Sequence, residues 1–566
     1  MEFAPVEQFP LDGFAPGQAN RRGQSQRKTD IKAGLFSLRT HRLDFQGIGG
    51  LHFVSDFAGL ICARLYSSTM TDLNIIPFDL PLPQVLPTIE GNVDYREFRY
   101  QLVRINDLLL QSGLETQFIE ADLRGWLGRR KRVSAKAQQN RQRHCRRALR
   151  CNIARRLLKE DYRGFAARLA DSPLLQFFCG LGEVDRVRVP AKSTLQRYDL
   201  WWTEAQVRPL IHQLLSLGAQ APQQLHLAQP LDLESVFLDT TCLAANIHYP
   251  VDWVLLRDGT RTLMKAVQLI RDQGIKHRME APASFISRIN KLCIQMTHAW
   301  NRKDQAASRR RRKQTLRQMD RLVGTVRSHA RRYRALLDQN WKQTEWTRPQ
   351  AEQVLRRMDQ VLAQLPQARR QARQRILAGQ LVANAEKILS LYEPEVQVIV
   401  RKKAGAEVEF GNTLLLGENP QGLITDWELF GQSAPADAQL LPRSVGRMEK
   451  AYGQGPKAVA GDRGFDSHAN QIGLADEGIY NAVCPRSPRQ LQQRARSWKF
   501  KQLQRRRAQT EGRIGILKNV FLGQPLRSKG FAHRQLTVTW TVLVHNLWVL
   551  ARLPQVEATQ DQRRAA

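Results

Sequence analysis

The chain has 566 residues and a formal net charge of +35, from 87 Lys and Arg against 52 Asp and Glu. This length predicts about three or four domains, and the hydrophobic content of 42% allows a sizeable core. So large a charge makes a compact protein repel itself unless it binds a polyanion, so nucleic acid is the expected partner and a merely soluble basic protein the alternative.

The cysteines and the apolar stretches argue against a secreted or membrane protein. The seven cysteines include no pair at CxxC spacing, so neither a disulfide framework nor a zinc site is predicted. The N-terminus has acidic residues and prolines where a signal peptide has a basic start and an apolar run. The most apolar stretch, Leu536 to Leu553, contains His545 and Asn546, so we expect a buried helix, no membrane partner and a cytoplasmic, nucleoid-associated protein.

The N-terminal part of the chain is polar before it becomes helical. Residues 1–48 are predicted to be a disordered basic tail, and residues 49–92 a short helix and a Pro-rich linker. Residues 93–228 are predicted to be a helical DNA-binding region. Its first helix is indicated by apolar residues at spacings of three and four, namely Tyr95, Phe98, Leu102, Ile105 and Leu109.

Two stretches of this helical region are candidates for contact with DNA. The basic stretch 128–156 is typical either of a solvated helix face or of a surface that contacts phosphates. Farther along, three short helices are predicted, with Ser193 as the N-cap of the last. Such helices suit a helix-turn-helix, with a plain helical bundle as the alternative. The candidate DNA-binding residues of the last helix are Lys192, Thr194, Gln196 and Arg197.

The predicted core begins at residue 229 and is interrupted at residue 260. In its first part, residues 229–259, the apolar run before Asp239 predicts a strand that delivers this carboxylate at its end. Residues 260–392 are rich in Arg and Gln and predict a helical insertion that clamps DNA, joins protomers or does both. Its longest helix has a heptad seam of Leu316, Met319, Val323, Val326, Ala330, Tyr333 and Leu337.

Residues 393–553 are predicted to be the second part of the core, followed by a polar tail, residues 554–566. Period-two alternation between residues 396 and 430 predicts two or three antiparallel strands. A further short strand is predicted to end at Asp462. Residues 494–520 predict a basic helix that contains Glu511, and residues 533–553 predict an apolar closing helix.

Strand-Asp, antiparallel strands, strand-Asp and helix-Glu is the order of an RNase-H-like core, an α/β fold with a mixed sheet flanked by helices. Two divalent metal ions activate the attacking oxygen and stabilise the leaving oxygen in phosphodiester transfer, and Mg²⁺ prefers carboxylate ligands. Asp239, Asp462 and Glu511 are therefore predicted as metal ligands and catalytic residues. Taken singly, each has a simpler interpretation as a cap or a surface acid.

Other residues near these carboxylates are candidates for lesser roles. Arg507 and Lys518 lie four residues before and seven after Glu511, which is one helix face, and are predicted to contact DNA phosphates or orient Glu511. His248 is a candidate for substrate contact and Asp252 for a fourth acid, with a structural role as the alternative for both.

The order of these motifs resembles that of the DDE transposases of bacterial insertion sequences. The resemblance is carried by Gly461-Asp462-Arg463-Gly464-Phe465 and by Arg507-x3-Glu511-x6-Lys518. In that group a tyrosine precedes the arginine of the second motif, and this chain has Gln504 there. Asp239-Thr240-Thr241 and residues 161–195 also resemble these proteins, so the resemblance covers residues 95–553. The helical block lies between the first and second Asp, unlike in transposases whose insertion lies between the second Asp and the Glu.

The resemblance implies a transposase that binds the terminal inverted repeats of an insertion sequence, cleaves DNA there and joins the ends to target DNA. It implies two Mg²⁺ or Mn²⁺ ions at Asp239, Asp462 and Glu511, and DNA contacts by Arg463, Arg507 and Lys518. It also implies a homodimer or a higher synaptic complex on double-stranded DNA. The alternatives are a catalytically inactive DNA-binding repressor derived from a transposase and a general Mg²⁺ nuclease.

Overall fold

The computed structural model describes residues 91–556, except residues 131, 184–185, 300–303, 404–405 and 524. The predicted tail 1–48, nearly all of the predicted helix and linker 49–92, and residues 557–566 lie outside the described residues.

The region before the sheet is helical, as predicted. Its apolar residues Leu102, Ile105 and Leu109 are buried in the first helix. The elements in chain order are α1 (Val93–Gln111), α2 (Leu114–Leu127), α3 (Ala135–Leu157), α4 (Tyr162–Asp171), α5 (Pro173–Cys179), a ribbon of β1 (Gly182–Glu183) and β2 (Arg186–Val187), α6 (Lys192–Asp199) and α7 (Glu204–Gln220).

Arginines of the basic segment 128–156 are partly structural, which neither interpretation of the sequence included. The guanidinium of Arg150 is buried and donates to both carboxylate oxygens of Glu115, at 2.9 and 2.7 Å. The buried guanidinium of Arg156 donates to Asp199 at 2.5 Å. A buried charge needs a partner because desolvation is costly, so these arginines are engaged within the helical region.

The start of α6 differs from the prediction. Ala191 precedes the first helical residue, Lys192, so the predicted Ser193 cap is wrong. The chain between α5 and α6 contains the β1–β2 ribbon in place of the three- or four-residue turn of a helix-turn-helix. Leu195 and Tyr198 are buried, which leaves the opposite side of α6 facing outward.

A mixed sheet forms the centre of the fold, as expected of an RNase-H-like core. Strand β5 pairs antiparallel with β3, β4 and β6, while β3 pairs parallel with β7 and β7 pairs parallel with β8. The prediction of two or three antiparallel strands between residues 396 and 430 is therefore confirmed, with three strands present. The strands are β3 (Ser235–Ala244), β4 (Gln397–Lys403), β5 (Ala406–Glu418), β6 (Ile424–Leu429), β7 (Ala458–Ala460) and β8 (Tyr480–Asn481).

Asp239 lies in the middle of β3 and not at its end, because β5 continues to pair with β3 from Phe237 to Ala244. The parallel partner β7 pairs with β3 only as far as Phe237. Asp239 therefore lies at the point where its parallel neighbour ends, and an apolar run alone does not reveal this register.

Helices cover both faces of the sheet. Val236 and Leu238 pack in a core cluster with α12, whereas Phe237 packs with Phe500 of α15 on the other face. The predicted helix 494–520 is divided at Gln509 and ends in a π-helical turn, Leu517–Leu522. The helices are α12 (Asp437–Tyr452), α13 (His468–Asp476), α14 (Pro488–Arg494), α15 (Trp498–Ala508), α16 (Thr510–Ile516) and α17 (Phe531–Leu550).

The insertion forms its own helical bundle with a separate core cluster. Every residue of the predicted heptad seam is fully buried. The predicted boundary between residues 259 and 260 falls inside the first helix of the bundle. Asp252, at the start of that helix, is buried and accepts from Arg375 at 2.9 Å, so it serves the bundle and not as a fourth acid. The helices are α8 (Asp252–Asp272), α9 (Pro282–His298), α10 (Gln305–Asn340) and α11 (Arg348–Ala372).

The closing helix α17 is buried in the protein, as predicted from its polar residues. Its His545 and Asn546 are 2% and 0% exposed, and Asn546 pairs with the backbone of Ile424 in β6 at 2.8 and 2.9 Å. Within the described part of the chain, no helix is both long and apolar enough to cross a membrane.

His545 makes the stability of the fold depend on pH. Burial lowers the pKa of His545 to about 4, so the unfolded chain takes up this proton at higher pH than the folded chain. The contribution of neutral His545 to the free energy of unfolding is complete above pH 6.5. It falls by on the order of 3 kcal/mol as the pH drops towards 4. His545→Phe is expected to weaken the dependence of urea unfolding on pH in that window. The exposed His248→Phe is the control, and equal slopes in both variants would contradict the prediction.

Candidate active site

Three acidic residues predicted from the sequence approach one edge of the sheet from different elements. Asp239 lies on β3, Asp462 follows β7, and Glu511 lies in the first turn of α16. Phe237 pairs with Ala460 across the parallel strands, and each Asp lies two residues beyond its paired position. Asp239 and Asp462 are therefore neighbours at the same level of the sheet.

The backbone beyond β7 is shaped by Asp462 itself. The Asp462 carboxylate accepts from the N–H of Gly464 at 2.8 Å and caps a 3-10 turn, Arg463–Phe465. An Asp is favoured at such a cap because its carboxylate satisfies a backbone donor that the turn leaves unpaired. The predicted capping role and the predicted site role therefore coexist in Asp462, since a carboxylate has a second oxygen.

The pKa of Asp239 responds to the charges of the two other acids. Burial raises the pKa of Asp239 to about 6, the Arg507 guanidinium opposes the rise, and the charges of Asp462 and Glu511 add to it. The Asp239 side chain is 17% exposed, and its carboxylate lies 3.8 Å from the Arg507 guanidinium. The three acids thus form one electrostatic cluster, with Arg507 as a counter-charge.

The chemistry of the cluster fits a hard divalent cation, because its donors are carboxylate oxygens. Among the described residues, however, no three His, Cys, Asp or Glu side chains are close enough to hold a metal ion as they stand. Glu511 is exposed at the start of its helix, whereas Asp239 and Asp462 are partly buried. Like charges favour such a separation, and a bound divalent cation reverses the preference.

Two basic residues of the predicted motif converge on β3. Arg507 lies beside Asp239, and the Lys518 ammonium donates to the Thr241 hydroxyl at 3.1 Å. Asp239 and Thr241 share one face of β3 because strand side chains alternate. Lys518 reaches this face from the π-helical turn after α16, which is not the regular helix that was predicted.

Gln504, which stands where the resembling transposases have tyrosine, bridges the ends of two strands. Its side-chain amide donates to the carbonyl of Gly461 at 3.3 Å and to that of Ala482 at 2.5 Å. Gly461 immediately precedes Asp462. The amide therefore ties α15 to the backbone that carries the second Asp.

Residues 414–547 match the family model for the transposase DDE domain. The chain carries a transposase DDE domain. The matched range runs from the apolar half of β5 through most of α17, and it contains Asp462 and Glu511. Asp239, the N-terminal helical region and the insertion lie outside it. No curated protein and no solved structure matches the chain.

Within the DDE domain, Glu418 is a residue that sequence reasoning missed. This buried carboxylate at the end of β5 accepts from Arg506 at 2.6 Å and from the Thr510 hydroxyl at 2.8 Å. Arg506 also donates to the carbonyls of Asn419 and Pro420, at 2.8 and 2.9 Å. The network holds Arg506 before the break between α15 and α16 and Thr510 after it. It therefore also fixes the positions of their neighbours in sequence, Arg507 and Glu511. The only signal in the sequence is an acid at the end of an apolar strand.

The other predicted DNA-binding residues lie on different surfaces. Arg463 is exposed on the turn after Asp462, and its carbonyl accepts from the Arg486 guanidinium at 3.0 Å. The exposed face of α6 carries Lys192, Gln196 and Arg197. Thr194 is half-buried and accepts from Arg197 at 3.1 Å. His248 is exposed in the segment after β3.

The Glu418 network generates a prediction about stability. Glu418→Ala leaves Arg506 partly buried without its carboxylate, which is expected to lower the free energy of unfolding by about 3 kcal/mol. The control is Glu120→Ala, which removes an exposed pair with Arg124 and should cost less than about 1 kcal/mol. Urea unfolding of both variants measures the difference, and equal losses would contradict the role given to Glu418.

Proposed function

We propose that this transposase binds the terminal inverted repeats of an insertion sequence and catalyses metal-dependent cleavage and strand transfer. The observation that carries the proposal is the convergence of Asp239, Asp462 and Glu511 at one edge of the sheet, where the charges of the last two act on Asp239. Hydrolytic enzymes use such carboxylates to hold divalent cations. The net charge of +35 supports a DNA substrate.

In this proposal Asp239, Asp462 and Glu511 hold two Mg²⁺ or Mn²⁺ ions. When bound, divalent ions would lower the pKa of the attacking water or hydroxyl group and stabilise the charge on the leaving oxygen. Cleavage breaks a phosphodiester bond with water and leaves a 3′-hydroxyl. In strand transfer that hydroxyl forms a new bond to a target phosphorus, and the oxygen of the broken target bond takes a proton and leaves.

The basic residues of the site position the DNA in this proposal. Arg507 balances the charge of Asp239 and lies where a phosphate of the bound end would approach. Lys518 and Arg463 contact the backbone on either side, because a guanidinium or ammonium group pairs well with phosphate oxygens. Holding two ends together requires a homodimer or a higher synaptic complex.

Recognition of the repeat is assigned in this proposal to the N-terminal helical region. The exposed face of α6 offers Lys192, Gln196 and Arg197, with Thr194 beside them. Amide and guanidinium groups of this kind read base edges in a major groove, and lysine contacts phosphates. One side of α6 packs against α3 and α4, so its exposed face is held in a fixed position for such contacts.

Catalysis is tested with supercoiled DNA that carries the sequences flanking the gene, in Mg²⁺. Asp462→Ala is expected to abolish cleavage and joining while DNA affinity stays within about twofold, because the carboxylate serves chemistry and not phosphate binding. The exposed Asp476→Ala on α13 is the matched control and should retain activity. If wild type and both variants bind the DNA equally and none of them cuts it, the catalytic proposal is wrong and the protein is a DNA-binding repressor. Cleavage of DNA without the ends, and no joining, would instead indicate a general nuclease.

Metal binding is tested by thermal unfolding in a chelator and in Mg²⁺ or Mn²⁺. A ligand at 100 times its Kd stabilises the folded state by about 2.7 kcal/mol, so the metal should raise the Tm by a few degrees. Asp239→Asn and Asp462→Asn are expected to lose this rise, and Asp476→Asn should keep it. A rise of equal size in all variants would show that the ions act elsewhere on the protein.

A further inference from the structure

The first half of α10 has a row of basic side chains along its outer face. Spacings of four residues place most of them in one line, which extends about 18 Å along the helix. All are exposed except Lys313, which is half-buried. This α10 basic face consists of Arg309, Arg310, Lys313, Arg317 and Arg321.

Three acidic groups of the bundle near α10 are bonded to arginines elsewhere, and a fourth, Asp304, caps α10 by accepting from the N–H of Ala307 at 2.8 Å. Asp320, the acid on this half of α10, is buried and accepts from Arg369 at 2.8 Å and from Arg373. Farther along, Asp338 and Asp359 both bond Arg334, at 2.8 and 2.9 Å. Within the described part of the chain, these acids therefore leave the charge of the α10 basic face for an external partner.

The α10 basic face lies at the end of the bundle that adjoins the sheet. Arg312 turns inward and lies 5.5 Å from the ring centre of Trp253, at the start of α8. At the other end, Arg271 of α8 donates to the Tyr333 hydroxyl of α10 at 3.0 Å. The two helices thus run parallel from the same end. Because α8 is the first helix after β3, that end adjoins the strand that carries Asp239.

We propose that the α10 basic face binds the phosphate backbone of a DNA duplex, independently of base sequence, beside the catalytic edge of the sheet. The inference deepens the proposed function and rests on it for the nature of the polyanion. Arginine and lysine pair with phosphate oxygens, and a duplex offers closely spaced phosphates along the length of the row. A second copy of the chain is disfavoured as the occupant because it also carries a net charge of +35.

The test compares the full chain with a variant in which all five side chains of the α10 basic face are changed to Gln, which preserves helix propensity. Binding of a fluorescent random-sequence duplex is measured over a series of salt concentrations. The slope of log Kd against log salt is expected to become shallower by about 0.9 for each phosphate that the variant no longer neutralises, and so by about 4.5 if all five side chains bind phosphates.

A matched control removes the same positive charge from other exposed positions of the bundle. Its five Gln substitutions are at Lys265, Arg331, Arg332, Arg356 and Arg357. Far-UV circular dichroism and the Tm should match wild type for both variants. The control is expected to keep nearly the wild-type salt slope, because a lower net charge by itself leaves the bound phosphates neutralised.

Equal slopes of log Kd against log salt in the α10 variant and the control variant would overturn the inference, because DNA binding would then depend only on net charge. An unchanged slope together with a changed oligomeric state of the α10 variant, seen by sedimentation, would overturn it in favour of contact between copies. The outcome is separate from that of the proposed function. If wild type cuts no end-bearing DNA and the slopes still differ, the proposed catalysis fails and the DNA surface stands.

Discussion

The repulsion between carboxylates held at one edge of the sheet is the constraint on which the site depends. The pKa of Asp239 is raised to about 6 by burial and by its acidic neighbours. Such a cluster persists only where the surrounding structure determines the backbone, because each charge favours moving away. Arg507 offsets part of the charge, and Glu418 and Gln504 secure the segments that carry Glu511 and Asp462.

The supporting contacts place helices and strands in a fixed relation around the cluster. Arg506 binds Glu418 on one strand and lies 4.8 Å from the ring centre of Phe237 on the next. Its neighbour in sequence, Arg507, then lies beside Asp239. A single basic run on α15 therefore has two roles, since one arginine anchors the helix to the sheet and the next faces the acids.

The sequence predicted the elements well and the tertiary partners poorly. The α10 heptad seam is fully buried, because periodicity directly reflects which side of a helix is covered. Asp239 was assigned to a strand end, since register depends on where β7 stops and not on the local run. The partners of Arg150, Arg156 and Glu418 could not be predicted, because a buried ion pair joins residues that lie far apart in the chain.

The break between α15 and α16 explains why helix spacing alone did not predict the relative positions of Arg507, Glu511 and Lys518. Offsets of four and seven predicted Arg507, Glu511 and Lys518 on one face of a continuous helix. In the structure, Thr510 turns its hydroxyl to Glu418 and the chain enters a π-helical turn before Lys518. Arg507 and Lys518 still reach adjacent same-face positions of β3. Convergence on the strand, and not helical periodicity, brings the motif together.

The place of the insertion gives the long helical block a relation to chemistry that its sequence does not reveal. It leaves the core immediately after β3, so its sheet-proximal end is fixed relative to Asp239 by a short segment of chain. Asp252 is bonded to Arg375 at that end, which joins the start and the end of the bundle. The first half of α10 lies at this same end of the bundle, because Arg312 lies 5.5 Å from the ring centre of Trp253 at the start of α8.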